Sequence, residues 1–265
     1  MMDDAIAACI KGLPDLPGVY FFYNAQDDLV YIGKSIHIRK RVLQHFQGKD
    51  RKSLKIQASV KRIAFELMGN ELMALLHESD LIKQHQPLFN RSQRRSLFQY
   101  GLYVELDEQG CKVLKIGAIK DNTDEITSFG SMHEAKQTLF YITEKYELCQ
   151  KINGLYKTRS SCFQYQIKRC KGICIGKEAP ESYNLRVDAF LQEYRFERFT
   201  ELFELSGRHA KEKGLVYIEH GVYKGFGFCG MRTDKKNYLK YINYKADNKD
   251  VRRILMRHLI RQKIK

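Results

Sequence analysis

Tyr20 and Tyr31 stand in two short runs, GVYFFY and LVYIG, and are followed by Lys34, Arg41, His45 and Glu78. Together these side chain types can hydrolyse a phosphodiester. An imidazole takes a proton from water near neutral pH unaided, whereas a phenol, with a pKa near ~10, needs help from a cation such as Lys34. A guanidinium offers planar donors to phosphate oxygens. One carboxylate with several waters is an ordinary way to hold magnesium or manganese, and Glu78 is suited to it. There the metal would polarise the phosphorus and neutralise charge on the leaving 3′ oxygen. The plainer alternative is a Tyr pair that packs a sheet and a Glu on a solvated helix face.

The elements that must position these groups follow from pattern. Asn24-Ala25-Gln26-Asp27-Asp28 has turn composition, so the two runs read as a hairpin. Pairing Tyr23 with Asp28 puts Tyr20 directly opposite Tyr31 on one face, roughly 5 Å away. Residues 35 to 46 read as a helix with Ile38, Val42 and Phe46 as its apolar stripe and the basic groups off it. Arg41 and His45 then lie one turn apart and can address one phosphate together. Residues 61 to 68 read as a third strand, Gly69-Asn70 as a turn, and residues 71 to 85 as a helix stopped by Pro87. Leu72, Leu75, Leu76 and Ile82 are its buried stripe, and Glu78 falls at the stripe's edge, where a carboxylate can look into a cleft.

In this order the motifs resemble the GIY-YIG nuclease family, and within it the UvrC and Cho excinucleases. GVY and YIG stand for the two name motifs, GKSIHIRKRVLQHF for the catalytic helix, and ALLHESDLIKQHQPLFN for the helix with the metal-binding Glu and the closing Asn. The resemblance implies a three-stranded antiparallel sheet flanked by helices and a site of Tyr20, Tyr31, Gly33, Lys34, Arg41, Glu78 and Asn90. His45 stands where UvrC typically has Tyr and some other members have His, so the general base is either His45 or Tyr31. Arg39, Lys40, Lys83 and Arg91, close to these motifs, are expected to contact DNA. The implied activity is a metal-dependent 3′ incision in nucleotide excision repair on damaged duplex DNA, with UvrB, together with UvrA, as partner. Two other readings stand beside it: a non-catalytic nucleic-acid-binding module on the same scaffold, and the nuclease unit of a longer exonuclease fusion.

Charge supports a polyanionic partner. The formal net charge is +15, yet residues 30 to 65 hold ten Lys or Arg against Asp50 alone, and residues 151 to 177 hold seven against no acidic residue. The remainder sums to −1, so the positive field is confined to two regions, as expected for contact with a phosphate backbone.

The second basic region contains Cys162, Cys170 and Cys174, with Cys149 just before it. The run CFQYQIKRCKGICIGK resembles the cysteine region of UvrC and Cho, and the resemblance implies a four-iron four-sulfur cluster as cofactor. Zinc suits four thiolates equally well, and disulfides are the third choice. MMDDAIAACI has neither a basic leader nor a long apolar run, so a cytoplasmic location and no membrane are expected.

The expected fold class is α+β, a nuclease domain followed by a mixed α/β region with a four-cysteine metal site: the nuclease domain over 11–95, a β-rich then helical connecting region over 96–147, a four-cysteine basic region over 148–180 and a C-terminal α+β region over 181–265. LYVELD and CKVLKIG read as strands around the turn Glu108-Gln109-Gly110, followed by a helix over 133–145. A helical pattern is expected over 182–211, a glycine-turned hairpin in GLVYIEHGVYKGFGFCG, and a basic amphipathic helix over 251–261.

Overall fold

The computed structural model describes residues 4–90, 98–119, 125–158 and 163–264. Strands β1 (Gly18–Tyr23) and β2 (Leu29–Ser35) form the expected hairpin, and β3 (Arg62–Leu67) pairs with the other edge of β1, giving the antiparallel order β2-β1-β3. Helices α1 (Asp4–Gly12), α2 (Ile38–Gln47), α3 (Arg51–Ser59) and α4 (Glu71–His85) surround this sheet. Side chains alternate between the faces of a strand. Tyr20, Phe22 and Tyr31 therefore share one face, and pack with Ile38, Val42 and Phe46 of α2 and with Ile6 and Ile10 of α1. On the opposite face α4 lies against β1 and β2.

The hairpin register differs from the expected one. Tyr23 pairs with Leu29 rather than Asp28, and a bulge follows, so that Phe22 pairs with Tyr31 and Tyr20 with Gly33. The cause is the turn. The Asn24 side chain accepts hydrogen bonds from the backbone N–H groups of Gln26 and Asp28, at 3.0 and 2.8 Å, and this closes a loop that includes Asp28. Tyr20 and Tyr31 remain on one face but lie diagonally, with ring centroids 6.0 Å apart.

Helix α3 was not expected from the pattern. Its start is fixed by Asp50, whose carboxylate accepts from the backbone N–H groups of Lys52 and Ser53. That N-cap, with Ser53, Ile56 and Val60 buried at helical spacing, is the signal that reveals it.

Further along, β4 (Tyr100–Leu106) and β5 (Lys112–Ala118) form the expected hairpin, and β6 (Thr127–Phe129) completes the sheet β5-β4-β6. Helices α5 (Met132–Lys145), α6 (Phe163–Gln166) and α7 (Pro180–Glu193) follow. A second correction falls at 199–211, expected to be helical: residues Glu201–Ser206 are strand β7. The run ELFELS pairs along its whole length with β8 (Glu212–Glu219), and tertiary pairing overrides its ambiguous local pattern. The His220-Gly221 turn, with both φ values positive, joins β8 to β9 (Val222–Gly230), and β10 (Ile242–Tyr244) makes the order β10-β9-β8-β7. Helix α8 (Lys249–Ile264) ends the described chain.

Among the described residues all strand pairs are antiparallel, and the class is α+β, with helices and strands mixed in the region after the nuclease domain. The compact units also cut across the expected divisions. One comprises Met1–Leu97 with Phe199–Arg252, the other Phe98–Arg198 with Arg253–Lys265. The reason lies in α4, which is buried nearly all round, with Met73, Ala74 and Ser79 inside as well as the expected stripe. Its second face is covered by the returning chain: the Asn70 amide donates to Ser206 O at 2.8 Å, and Asp80 pairs with Lys245 at 2.7 Å. Among the described residues no helix is long and apolar enough to cross a membrane.

Candidate active site

The two hairpin strands and α2 bring Tyr20, Tyr31 and His45 together. Tyr20 Oη lies 2.8 Å from His45 Nε2, and the Tyr31 ring meets the imidazole edge-on at 5.2 Å. Gly33 makes this possible. It sits opposite Tyr20, and a Cβ there would fall 2.4 Å from the Tyr20 Cζ and Oη atoms, so only glycine lets the phenol lie across β2.

His45 is not off the apolar stripe of α2 as expected; it is buried beside Val42 and Phe46. Arg41 remains exposed, with Nη1 donating to Gln44 Oε1 at 3.1 Å. The two therefore do not present as one exposed pair. Burial, then the charges of Arg41 and Lys52, push the His45 pKa down to about 4, which keeps the imidazole neutral at physiological pH.

Burial pushes Tyr31 up to about 12, and Glu78 adds to the rise, while a hydrogen bond from Tyr20 and the charge of Arg41 oppose it. Tyr20 is raised further, by burial first. The Tyr20 hydroxyl thus links the two groups, hydrogen-bonded to His45 Nε2 on one side and to Tyr31 on the other.

Glu78 projects from α4 toward β2 and is buried, accepting the Lys34 backbone N–H on Oε1 at 2.9 Å. Burial raises its pKa to about 7, against the opposing effects of that hydrogen bond and of the charges on Lys34, Lys52 and Arg41. Asn90 is buried and clamps β2: its amide oxygen accepts from Ile32 N at 2.9 Å and its amide nitrogen donates to Ile32 O at 2.8 Å. Tyr31 and Gly33 flank the clamped residue, so Asn90 holds the strand that carries the site.

Two expected residues have other partners. Lys34 Nζ is paired with Glu71 at 2.5 Å, so its ammonium is engaged away from Tyr31. Lys52 takes that place, with its Nζ 4.4 Å from the centroid of the Tyr31 ring. Lys83 is held by Asp250 at 2.7 Å and by Asn248 at 2.6 Å, which offsets its charge. Arg39 donates to Leu13 O at 2.6 Å and Lys40 is exposed on the same helix. Arg91 lies outside the described residues.

A buried carboxylate that no Lys or Arg of the described residues pairs with directly is a fit partner for a hard divalent cation, and one carboxylate with waters suffices for magnesium. The cysteines present a different picture. Cys149 and Cys170 are buried and Cys174 is partly so, while Cys162 lies outside the described residues. Hydrogen bonds from Cys170 and Cys174 hold the Cys149 thiol well below its usual range, and the Gly172 N–H donates to Cys170 Sγ at 3.4 Å. Cys170 and Cys174 thus both lie beside Cys149, although among the described residues no group of three such side chains encloses a metal position.

The β2-β1-β3 sheet, the paired tyrosines of its hairpin and the Glu of the crossing helix define a GIY-YIG nuclease domain. Residues 16–91 match the UvrC-like GIY-YIG domain and residues 101–193 the UvrC/Cho excinuclease middle domain. The chain belongs to the UvrC/Cho branch of the GIY-YIG family. It is similar to excinuclease Cho of Salmonella typhi, 38% identical over 69% of this chain and 62% of that one, and of Escherichia coli K12, 35% identical over 70% and 63%. It also resembles the UvrABC system protein C of Psychrobacter cryohalolentis, 32% identical over 66% of this chain and 29% of that one. The chain thus spans less than two thirds of the length of these relatives. The magnesium-bound N-terminal endonuclease domain of UvrC from Thermotoga maritima is 29% identical over 34% of this chain and 99% of that domain, at a TM-score of 0.32.

Proposed function

We propose that this protein is a divalent-metal-dependent endodeoxyribonuclease of the UvrC/Cho type that hydrolyses one phosphodiester on the 3′ side of a lesion, on damaged duplex presented by UvrB with UvrA. The observation that carries the reading is the buried Glu78 carboxylate, whose charge acts on both Tyr20 and Tyr31 of the network with His45. A binding scaffold gains nothing from burying a carboxylate whose ionisation is disfavoured there, and Gln would be the more stable choice. That asymmetry favours catalysis over the non-catalytic module.

Magnesium or manganese bound at Glu78 supplies Lewis-acid polarisation of the phosphate and neutralises charge at the leaving 3′ oxygen. Arg41, exposed at the mouth of the site, binds the other phosphate oxygens. Tyr31 gives its own proton to bulk water, with Lys52 above its ring favouring the phenolate, and the phenolate then accepts the proton of the attacking water. Tyr20 and His45 orient Tyr31 through their hydrogen bonds. Water enters opposite the leaving oxygen and no covalent intermediate forms. For the second unit, we propose a structural metal centre on Cys149, Cys162, Cys170 and Cys174, iron-sulfur or zinc; the nearness of Cys170 and Cys174 to Cys149 supports it, and elemental analysis with a visible spectrum decides the metal.

The test is nicking of lesion-bearing duplex in magnesium or manganese, with and without UvrA and UvrB. Metal-dependent cleavage 3′ to the lesion, lost in Glu78→Gln and in Arg41→Ala with DNA affinity retained, is the expected result. Cleavage by Glu78→Gln at the wild-type rate would refute the assignment.

A further inference from the structure

Outside the nuclease site, a cavity of 690 Å³ opens between the β3 edge, α4 and the last sheet. It exists because residues 199–252 pack on the nuclease domain, a segment beyond the residues that match either family model. Helix α4 links it to the site: Glu78 reaches β2, whereas the adjacent His77 reaches Glu66 on β3, the far edge of the same sheet. Two strand spacings put the cavity about 10 Å from the carboxylate.

Four rings, His77, His209, Phe226 and Phe228, line it beside Leu67 and Met68. His77 meets Phe226 edge-on at 5.7 Å, and the Arg208 guanidinium lies 4.3 Å over Phe228, fixed by two hydrogen bonds to Glu212 at 2.9 and 2.6 Å. One polar atom is left over. His77 Nε2 is 2.7 Å from Glu66 Oε2, but His77 Nδ1 is buried with no partner among the described residues, and the exposed Asn243 stands on the lining.

Charge decides between ligand classes. Arg208 is offset by Glu212, Lys245 by Asp80, and His77 faces Glu66. With Arg208 and Lys245 paired, the cavity lacks the lysine or arginine surplus that a phosphate or an acidic peptide requires, whereas a neutral planar heterocycle suits the aromatic and guanidinium groups of the lining and offers ring nitrogens to the unmatched polar groups. We infer that this cavity receives a single purine or pyrimidine base. Its two sources are a base unstacked from the DNA strand at the nuclease site, which rests on the nuclease reading, and a free nucleotide.

The experiment uses the full chain in metal-free buffer with EDTA, so that no cleavage intervenes. Oligonucleotides carrying 2-aminopurine at successive positions are titrated by fluorescence and anisotropy, and deoxyadenosine monophosphate and inorganic phosphate are titrated separately by calorimetry. A base in the cavity predicts an altered 2-aminopurine signal at one position. Loss of one stacked base weakens binding by about tenfold or more, which is the effect expected for Phe228→Leu and Asn243→Ala. An abasic residue at that position should erase the difference between variants and wild type. Saturable binding of the free nucleotide, weakened by the same variants, supports the base chemistry with the other source. No response in either arm, or inorganic phosphate binding as well as the nucleotide, overturns the inference. Thermal melts confirm that exposed Asn243→Ala is folded. Nicking by the same samples in magnesium separates the two readings: base binding without nicking sinks only the nuclease assignment, and nicking without base binding sinks only this one.

Discussion

Tyr20 Oη and His45 Nε2 are hydrogen bonded at 2.8 Å inside the core of the nuclease domain. This pairing changes the role of the histidine. An exposed imidazole one turn after Arg41 would be the natural base at neutral pH, whereas the buried one is a neutral partner that orients a tyrosine.

His45 should therefore titrate with a midpoint near 4, instead of near the unperturbed value of about 6.5. Its ring protons, followed by NMR from pH 3 to 8 in metal-free protein, provide the check. Single-turnover cleavage should show no limb near 6.5 that disappears in His45→Ala. A midpoint above 6 would restore the histidine as a candidate base.

Glu78→Gln should stabilise the metal-free protein at pH 8 while abolishing cleavage. With its folded pKa near 7 and an unfolded value near 4.5, Glu78 binds its proton more tightly in the folded chain. The resulting stability is present at low pH and is lost as pH rises from 4.5 through 7. Full loss corresponds to about 3 kcal/mol at pH 8 and little at pH 4.5. Urea unfolding of both proteins at the two pH values measures it, and saturating magnesium should close the gap by binding wild type. A wild-type protein as stable as the variant at pH 8 in EDTA would contradict the buried-anion account.

Lys52→Met should lower single-turnover cleavage by roughly tenfold or more without matching loss of duplex affinity. Removing the cation from above the Tyr31 ring disfavours the phenolate, so the alkaline limb of the pH profile should move up. Lys52→Arg should recover part of the rate. Unchanged rate and profile in Lys52→Met would return the supporting role to Arg41 alone.

Asn90→Ala should destabilise the fold by about 2–4 kcal/mol, because both polar groups of Ile32 lose buried partners. Denaturant melts give the value. At temperatures where the variant stays folded, cleavage should still fall, since the clamp sets the position of Tyr31 on β2.

Local pattern sufficed for much of this protein. Alternating runs bounded by turn residues specify the hairpins, and the spacing of Ile38, Val42 and Phe46 specifies α2 together with its buried face. The same order of motifs pointed to the family and to Tyr20, Tyr31, Glu78 and Asn90, because types and spacings along one chain are all that such recognition needs. Three features required the folded chain. The turn that the Asn24 side chain closes and the bulge between Phe22 and Tyr23 together shift Tyr20 from Tyr31 to Gly33. The cation beside Tyr31 is Lys52 and not Lys34, since a competing carboxylate, Glu71, lies near one and the ring near the other. Residues 199–252 join the nuclease domain because α4 has a second apolar face to cover. Each outcome is settled by which distant groups meet, and burial then sets the protonation of His45 and Glu78, a quantity that sequence spacing does not contain.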